Sequence, residues 1–117
     1  MADYKGRIVA LMDALNRQDF EAGLALLHPD VDWPDLMNGG RLRGPAAVRA
    51  YWGQVYAVVR SQTEVLDVHP DGGDRVAARM LHTIHDRKGK LWSEDAMTHV
   101  FTFSGELMLR MDAADGG

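Results

Sequence analysis

Two acid–base groups raise the chemical question in this chain. Asp35 stands in the run Val31-Asp32-Trp33-Pro34-Asp35-Leu36-Met37. If that segment is extended, Trp33 and Met37 share its face, because strand side chains alternate with period two. A carboxylate among such neighbours is poorly hydrated, so its pKa is expected above the ordinary carboxylate range. That suits a base removing a proton from carbon beside a carbonyl, or from water. His99 is the second group. Protonated, it can donate to a developing enolate; neutral, it can act as a base. Each has a plainer alternative: Asp35 as a turn cap facing water, His99 as a hydrogen-bonded core histidine.

A hairpin supplies their companions. If the chain turns at Lys88-Gly89, Ile84 pairs with Ser93, His82 with Asp95, Met80 with Met97 and Ala78 with His99. All lie on one face, which Phe101 and Phe103 continue. The other face carries Arg79, Thr83, His85, Trp92, Glu94, Thr98 and Thr102 and is more polar. A slip of one residue would exchange the two faces. Asp95 could fix the tautomer of His82, or the two could form a simple polar cross-strand pair. Trp33, Met37, Tyr51, Trp52, Met80, His82, Asp95, Met97 and Phe101 are the expected lining for a small, flat or alicyclic apolar ligand, although such stripes also build ordinary core.

Other chemistries find less support. Asp35, His82, Asp95 and His99 are suitable ligand types, but their spacing matches no metal motif, so no metal and no cofactor is expected. Arg41 and Arg43 could meet an anionic substrate, and read more simply as solvated loop arginines. His28, His69 and His85 read as structural or solvated. No Ser-His-Asp arrangement and no phosphate-binding glycine loop is legible; Gly39-Gly40 and Gly72-Gly73 are turn signals.

The elements that must position these groups follow from periodicity. Ile8, Leu11, Met12 and Leu15 recur at helical spacing, predicting a helix from about Tyr4 to Arg17 capped by Asp3. Asp19 caps a second helix, on which Phe20, Leu24 and Leu27 share a face and which His28-Pro29 ends. Val31 to Asp35 reads as a short strand, with Pro34 suggesting an edge. Asn38-Gly39-Gly40 turns the chain, and Leu42 lies in a further short extended piece. Gly44-Pro45 opens a third helix, with Val48, Tyr51, Trp52, Val55 and Val59 along one side. Four strands follow: Thr63–His69, Arg75–Asp86, Leu91–Phe103 and Leu107–Met111. Helices first and a strand meander afterwards indicate an α+β domain with a curved sheet wrapped on the helices.

The 117 residues suit a single domain, 1–117. With 46% hydrophobic and 26% charged residues the composition is globular, and the net charge of −4 with scattered Lys and Arg argues against nucleic-acid binding. The absence of cysteine removes disulfide and thiolate chemistry. No signal-peptide pattern opens the chain, and no apolar run reaches the roughly eighteen residues of a membrane span, so the expected location is cytoplasmic, without membrane contact.

With these elements in order, the chain resembles the SnoaL-like branch of the nuclear transport factor 2-like superfamily, which includes ketosteroid isomerase. The resemblance rests on LLHPDVDWPD, GGRLRGPAAVRAYW and HVFTFSGELMLRMD and covers nearly the whole chain. It implies a cone-shaped α+β barrel, with three N-terminal helices on a curved antiparallel or mixed sheet enclosing a pocket. It also implies a homodimer pairing through the outer sheet face. Asp35 matches the isomerase's general base, and His99 matches the acid that donates to the substrate oxyanion. The isomerase's oxyanion tyrosine would fall near Leu11 or Met12, neither of which donates a hydrogen bond, so steroid isomerisation is disfavoured. The implied activity is cofactor-free acid–base chemistry of isomerase, cyclase or hydratase type on an apolar carbonyl compound. A non-catalytic module binding a ligand or a partner through the same surfaces is the alternative.

Overall fold

The structure, a computed structural model, describes residues 3–114. The chain forms α1 (Tyr4–Asn16), α2 (Phe20–Leu24), β1 (Leu27–Pro34), β2 (Arg41–Arg43), α3 (Pro45–Val58), β3 (Arg60–Pro70), β4 (Arg75–His85), β5 (Leu91–Ser104) and β6 (Leu107–Ala114). Both short-range caps form as their residue types predict. Asp3 accepts from the Gly6 N–H at 2.9 Å and Asp19 from the Ala22 N–H at 3.2 Å.

The helices and the strand meander produce one mixed sheet in the order β2-β1-β6-β5-β4-β3, and the sheet is open. β1 runs parallel to β6, whereas the other neighbours are antiparallel. The hairpin register is the expected one: Ile84 opposite Ser93, His82 opposite Asp95, Met80 opposite Met97 and Ala78 opposite His99. α1 and α3 cover the inner face, burying Ile8, Leu11, Val48 and Trp52 against Val31, Met80, Phe101 and Met108. No helix among the described residues is long and apolar enough to cross a membrane.

Two local expectations change. α2 stops at Leu24 rather than at His28-Pro29, because Leu27 already pairs with Met108 of β6 and the Met108 N–H donates to the Leu26 carbonyl at 3.0 Å. The extended backbone favoured before proline serves a strand as well as a helix end. β1 is not an edge either: β2 pairs with Asp32, Trp33 and Pro34 and takes the edge, so Pro34 is accommodated as the last residue of β1. Beyond β2, Gly44 caps α3 at φ 85°, a left-handed conformation that costs glycine little.

Arg41 is likewise not a solvated loop residue. On the face of β1 opposite Trp33, its Nε donates to Asp32 Oδ1 at 2.6 Å and its Nη2 to the Met111 carbonyl at 2.8 Å. Arg110 Nη1 donates to Asp32 Oδ2 at 3.0 Å, and Asp112 is held by Arg110 at 2.7 Å and Arg41 at 3.3 Å. The network ties β2, β1 and β6 together away from the helices.

Candidate functional site

Between the helices and the inner sheet face lies a cavity of about 100 Å³. α1 contributes Met12 and Leu15, β1 Trp33, the following loop Leu36, and α3 Tyr51, Trp52, Val55 and Tyr56. The sheet contributes Ser61 and Thr63 from β3, Met80 and His82 from β4, Met97 and His99 from β5, and Met111 from β6. Aromatic packing shapes one wall, with Trp33 and Trp52 edge to face at 6.0 Å. Asn16 fixes another: its Nδ2 donates to the Thr63 carbonyl and its Oδ1 accepts the Thr63 N–H, each at 2.9 Å, which seats the end of α1 on β3. Among the described residues the lining carries no carboxylate, ammonium or guanidinium; its polar groups are hydroxyls, imidazoles and the indoles of Trp33 and Trp52.

His99 is only 8% exposed, and its Nδ1 is buried without a hydrogen-bond partner. Burial, then the neighbouring His82, push its pKa down to about 4, so the ring is neutral at pH 7. Burial also lowers the pKa of His82, against an opposing pull from Asp95. The His82 Nε2 is paired with the Ser61 hydroxyl. Burial raises the pKa of Tyr51 and of Tyr56, so both phenols remain hydrogen-bond donors at neutral pH.

Of the expected site residues, Trp33, Tyr51, Trp52, Met80, His82, Met97 and His99 line this cavity. Phe101 is fully buried behind the wall, its ring 6.4 Å from that of Trp33. Asp95 is exposed opposite His82 and makes no hydrogen bond with it. Met37 is 50% exposed in the loop after β1.

Asp35 differs most from its expectation. β1 ends at Pro34, so the alternation that would aim Asp35 inward has already stopped. Its Oδ1 accepts the Asn38 N–H at 2.9 Å and the Met37 N–H at 3.1 Å, making it the cap of the turn that Gly39 and Gly40 complete with positive φ. These bonds, that of Asn38 first, hold its carboxyl below the ordinary range, the reverse of the shift expected from a dry pocket. Its links to the cavity run through Tyr51, whose hydroxyl accepts the Leu36 N–H at 3.4 Å and whose pKa the Asp35 charge helps to raise.

Ser61, Thr63 and Tyr56 join the lining without a signal of their own in the sequence pattern. β3 begins at Arg60, three residues earlier than its composition suggests, which places Ser61 on the same face as Thr63. Tyr56 lies one helical turn beyond Trp52, so the α3 stripe already pointed to it. Among the described residues no three His, Cys, Asp or Glu side chains converge as a metal site.

No curated protein matches the chain. Among solved structures it is similar to a polyketide cyclase candidate from Xanthomonas campestris pv. campestris, at 27% identity over 94% of this chain and 87% of that one, with a TM-score of 0.80. It is also similar in fold to RV0760c from Mycobacterium tuberculosis in complex with estradiol-17β-hemisuccinate, at 19% identity over 97% and 94% of the two chains and a TM-score of 0.83. A third likeness of fold is TerC co-crystallised with polyporic acid, at 23% identity over 94% and 88% and a TM-score of 0.80. The SnoaL-like domain matches residues 8–111, nearly the whole of the fold just described, and the chain therefore belongs to the SnoaL-like domain family.

Proposed function

We propose that the cavity binds a small apolar carbonyl compound and promotes cofactor-free proton transfer on it, with His99 donating to the carbonyl oxygen. The observation that carries this reading is the unpartnered Nδ1 of a buried, neutral imidazole beside a mostly apolar cavity. A buried polar atom without a partner is costly, and a ligand oxygen would supply the missing hydrogen bond. A neutral imidazole can polarise a carbonyl without carrying a charge into the cavity. The general-base role expected of Asp35 moves away from that side chain, which is occupied in its turn. With no carboxylate among the described lining residues, the favoured substrates have C–H bonds already acidified by two flanking carbonyls, the kind of bond a cyclase or isomerase reaction breaks.

The complexes of RV0760c and TerC suggest the first probes. Estradiol-17β-hemisuccinate and polyporic acid are expected to quench the fluorescence of Trp33 and Trp52, and His99→Phe to weaken that binding. Exchange of the acidic C–H of 2-acetylcyclohexanone for deuterium, followed by NMR, is then expected to accelerate with the wild-type chain and not with His99→Phe. Absence of quenching would end the reading. Binding without accelerated exchange would establish the second one, a non-catalytic ligand-binding module. A second copy of the chain is proposed to cover the outer sheet face, where the pairs Ala77–Val100 and Leu81–Ala96 alternate with Arg79–Thr98 and Thr83–Glu94; sedimentation equilibrium tests it, and a monomer at micromolar concentration would exclude it.

A further inference from the structure

The polar pair closest to completion for a different chemistry is Ser61 with His82. Thr63 stands directly opposite His82, and Ser61 precedes it by two residues on the same face of β3, so the serine reaches the ring diagonally across the strand pair. Ser61 Oγ pairs with His82 Nε2, and both side chains line the cavity although Ser61 is only 5% exposed.

A serine hydroxyl is a weak nucleophile until a neutral base stands within hydrogen-bonding reach. Burial lowers the pKa of His82, which favours the neutral ring, and its Nε2 is paired with Ser61; in the Nδ1–H tautomer that nitrogen accepts the serine proton. Asp95, directly across the hairpin, favours the imidazolium once a proton arrives. Tyr56 lines the same cavity, and burial raises the pKa of its phenol, which keeps its proton available for an oxyanion.

We propose that Ser61, with His82 as its base, is a nucleophile that accepts an acyl group from a small, apolar ester entering the cavity. Ser61 Oγ bonds to the ester carbonyl carbon while its proton passes to His82 Nε2, and the Tyr56 hydroxyl donates to the resulting oxyanion. As that intermediate collapses, the bond to the leaving alkoxide or phenoxide breaks and the leaving oxygen takes the proton from His82. Water, deprotonated by the same ring, then attacks the acyl carbon, releasing the carboxylic acid and restoring the serine. None of these steps uses His99, so the inference stands apart from proton transfer on a carbonyl ligand.

The test uses the full chain and p-nitrophenyl acetate. The expected result is a burst of p-nitrophenolate approaching one equivalent per chain, with an acetyl group located by tandem mass spectrometry on the peptide holding Ser61. Ser61→Ala is expected to abolish the burst, and His82→Gln to slow it by about a hundredfold or more. Site location in the wild-type chain decides the question even if a variant fails to fold. No burst, or an acetyl group confined to lysines or the amino terminus with Ser61 unmodified, would overturn the proposal.

Discussion

Asp32 and His99 are buried to nearly the same degree, 9% and 8% exposed, yet the molecule treats them in opposite ways. Asp32 points away from the helices into two guanidiniums, Arg41 at 2.6 Å and Arg110 at 3.0 Å, which satisfy both of its oxygens. His99 points towards the helices, meets no charge of opposite sign, and stays neutral. Paired burial makes a structural tie across β2, β1 and β6, whereas unpaired burial leaves an imidazole whose missing partner a ligand can become. A polar residue's burial is therefore a poor guide to its role until its partners are known.

The largest test of this contrast is Asp32→Ala. It leaves the guanidiniums of Arg41 and Arg110 without their central carboxylate and is expected to cost about 3 kcal/mol of stability by urea denaturation. A cost below about 1 kcal/mol would make the network a solvated surface feature like most exposed ion pairs. Next comes pH. The His99 pKa is about 4 when folded, against 6.5 for a free imidazole, so protons bind the unfolded chain more readily in that window. Its stabilising contribution is full above pH 6.5 and is lost as pH falls towards 4, an expected loss of about 2–3 kcal/mol. His82 adds in the same direction. Urea midpoints for the wild type and His99→Gln should diverge in their pH slopes over this range; parallel curves would show that His99 titrates normally.

A smaller effect separates the two regions at pH 7. His99→Leu removes an unpartnered polar atom and is expected to change stability by no more than about 1 kcal/mol in either direction, while weakening ligand binding. A loss near that of Asp32→Ala would mean that His99 has a structural partner. Smallest is Asp35→Asn, for which the affinity of estradiol-17β-hemisuccinate should stay within about twofold. A large drop would return Asp35 to the site.

Much of the architecture could be read from local patterns. Asp3, Asp19 and Gly44-Pro45 mark helix starts by short-range hydrogen bonding and backbone preference, and Lys88-Gly89 sets the hairpin register from which His82, Asp95, Met80, Met97 and His99 follow by alternation. Structure and expectation part where that alternation reaches its limit. Asp35 lies one residue beyond the end of β1, and Asp95 lies on a correctly assigned row but towards the exposed end of the hairpin. Period two specifies a face; it does not say how far along the strand the helices still cover it.

By itself the sequence determined the elements, the pairing of β4 with β5 and the apolar character of one sheet face, because these depend on residues near one another along the chain or on strict alternation. Only the tertiary structure decided which polar groups meet. Arg41 reaches Asp32 and Met111 only because β6 inserts beside β1, and Ser61 reaches His82 only because β3 begins at Arg60. The protonation of His99 follows from the same cause, since its desolvation depends on how α1, α3 and the sheet close around it.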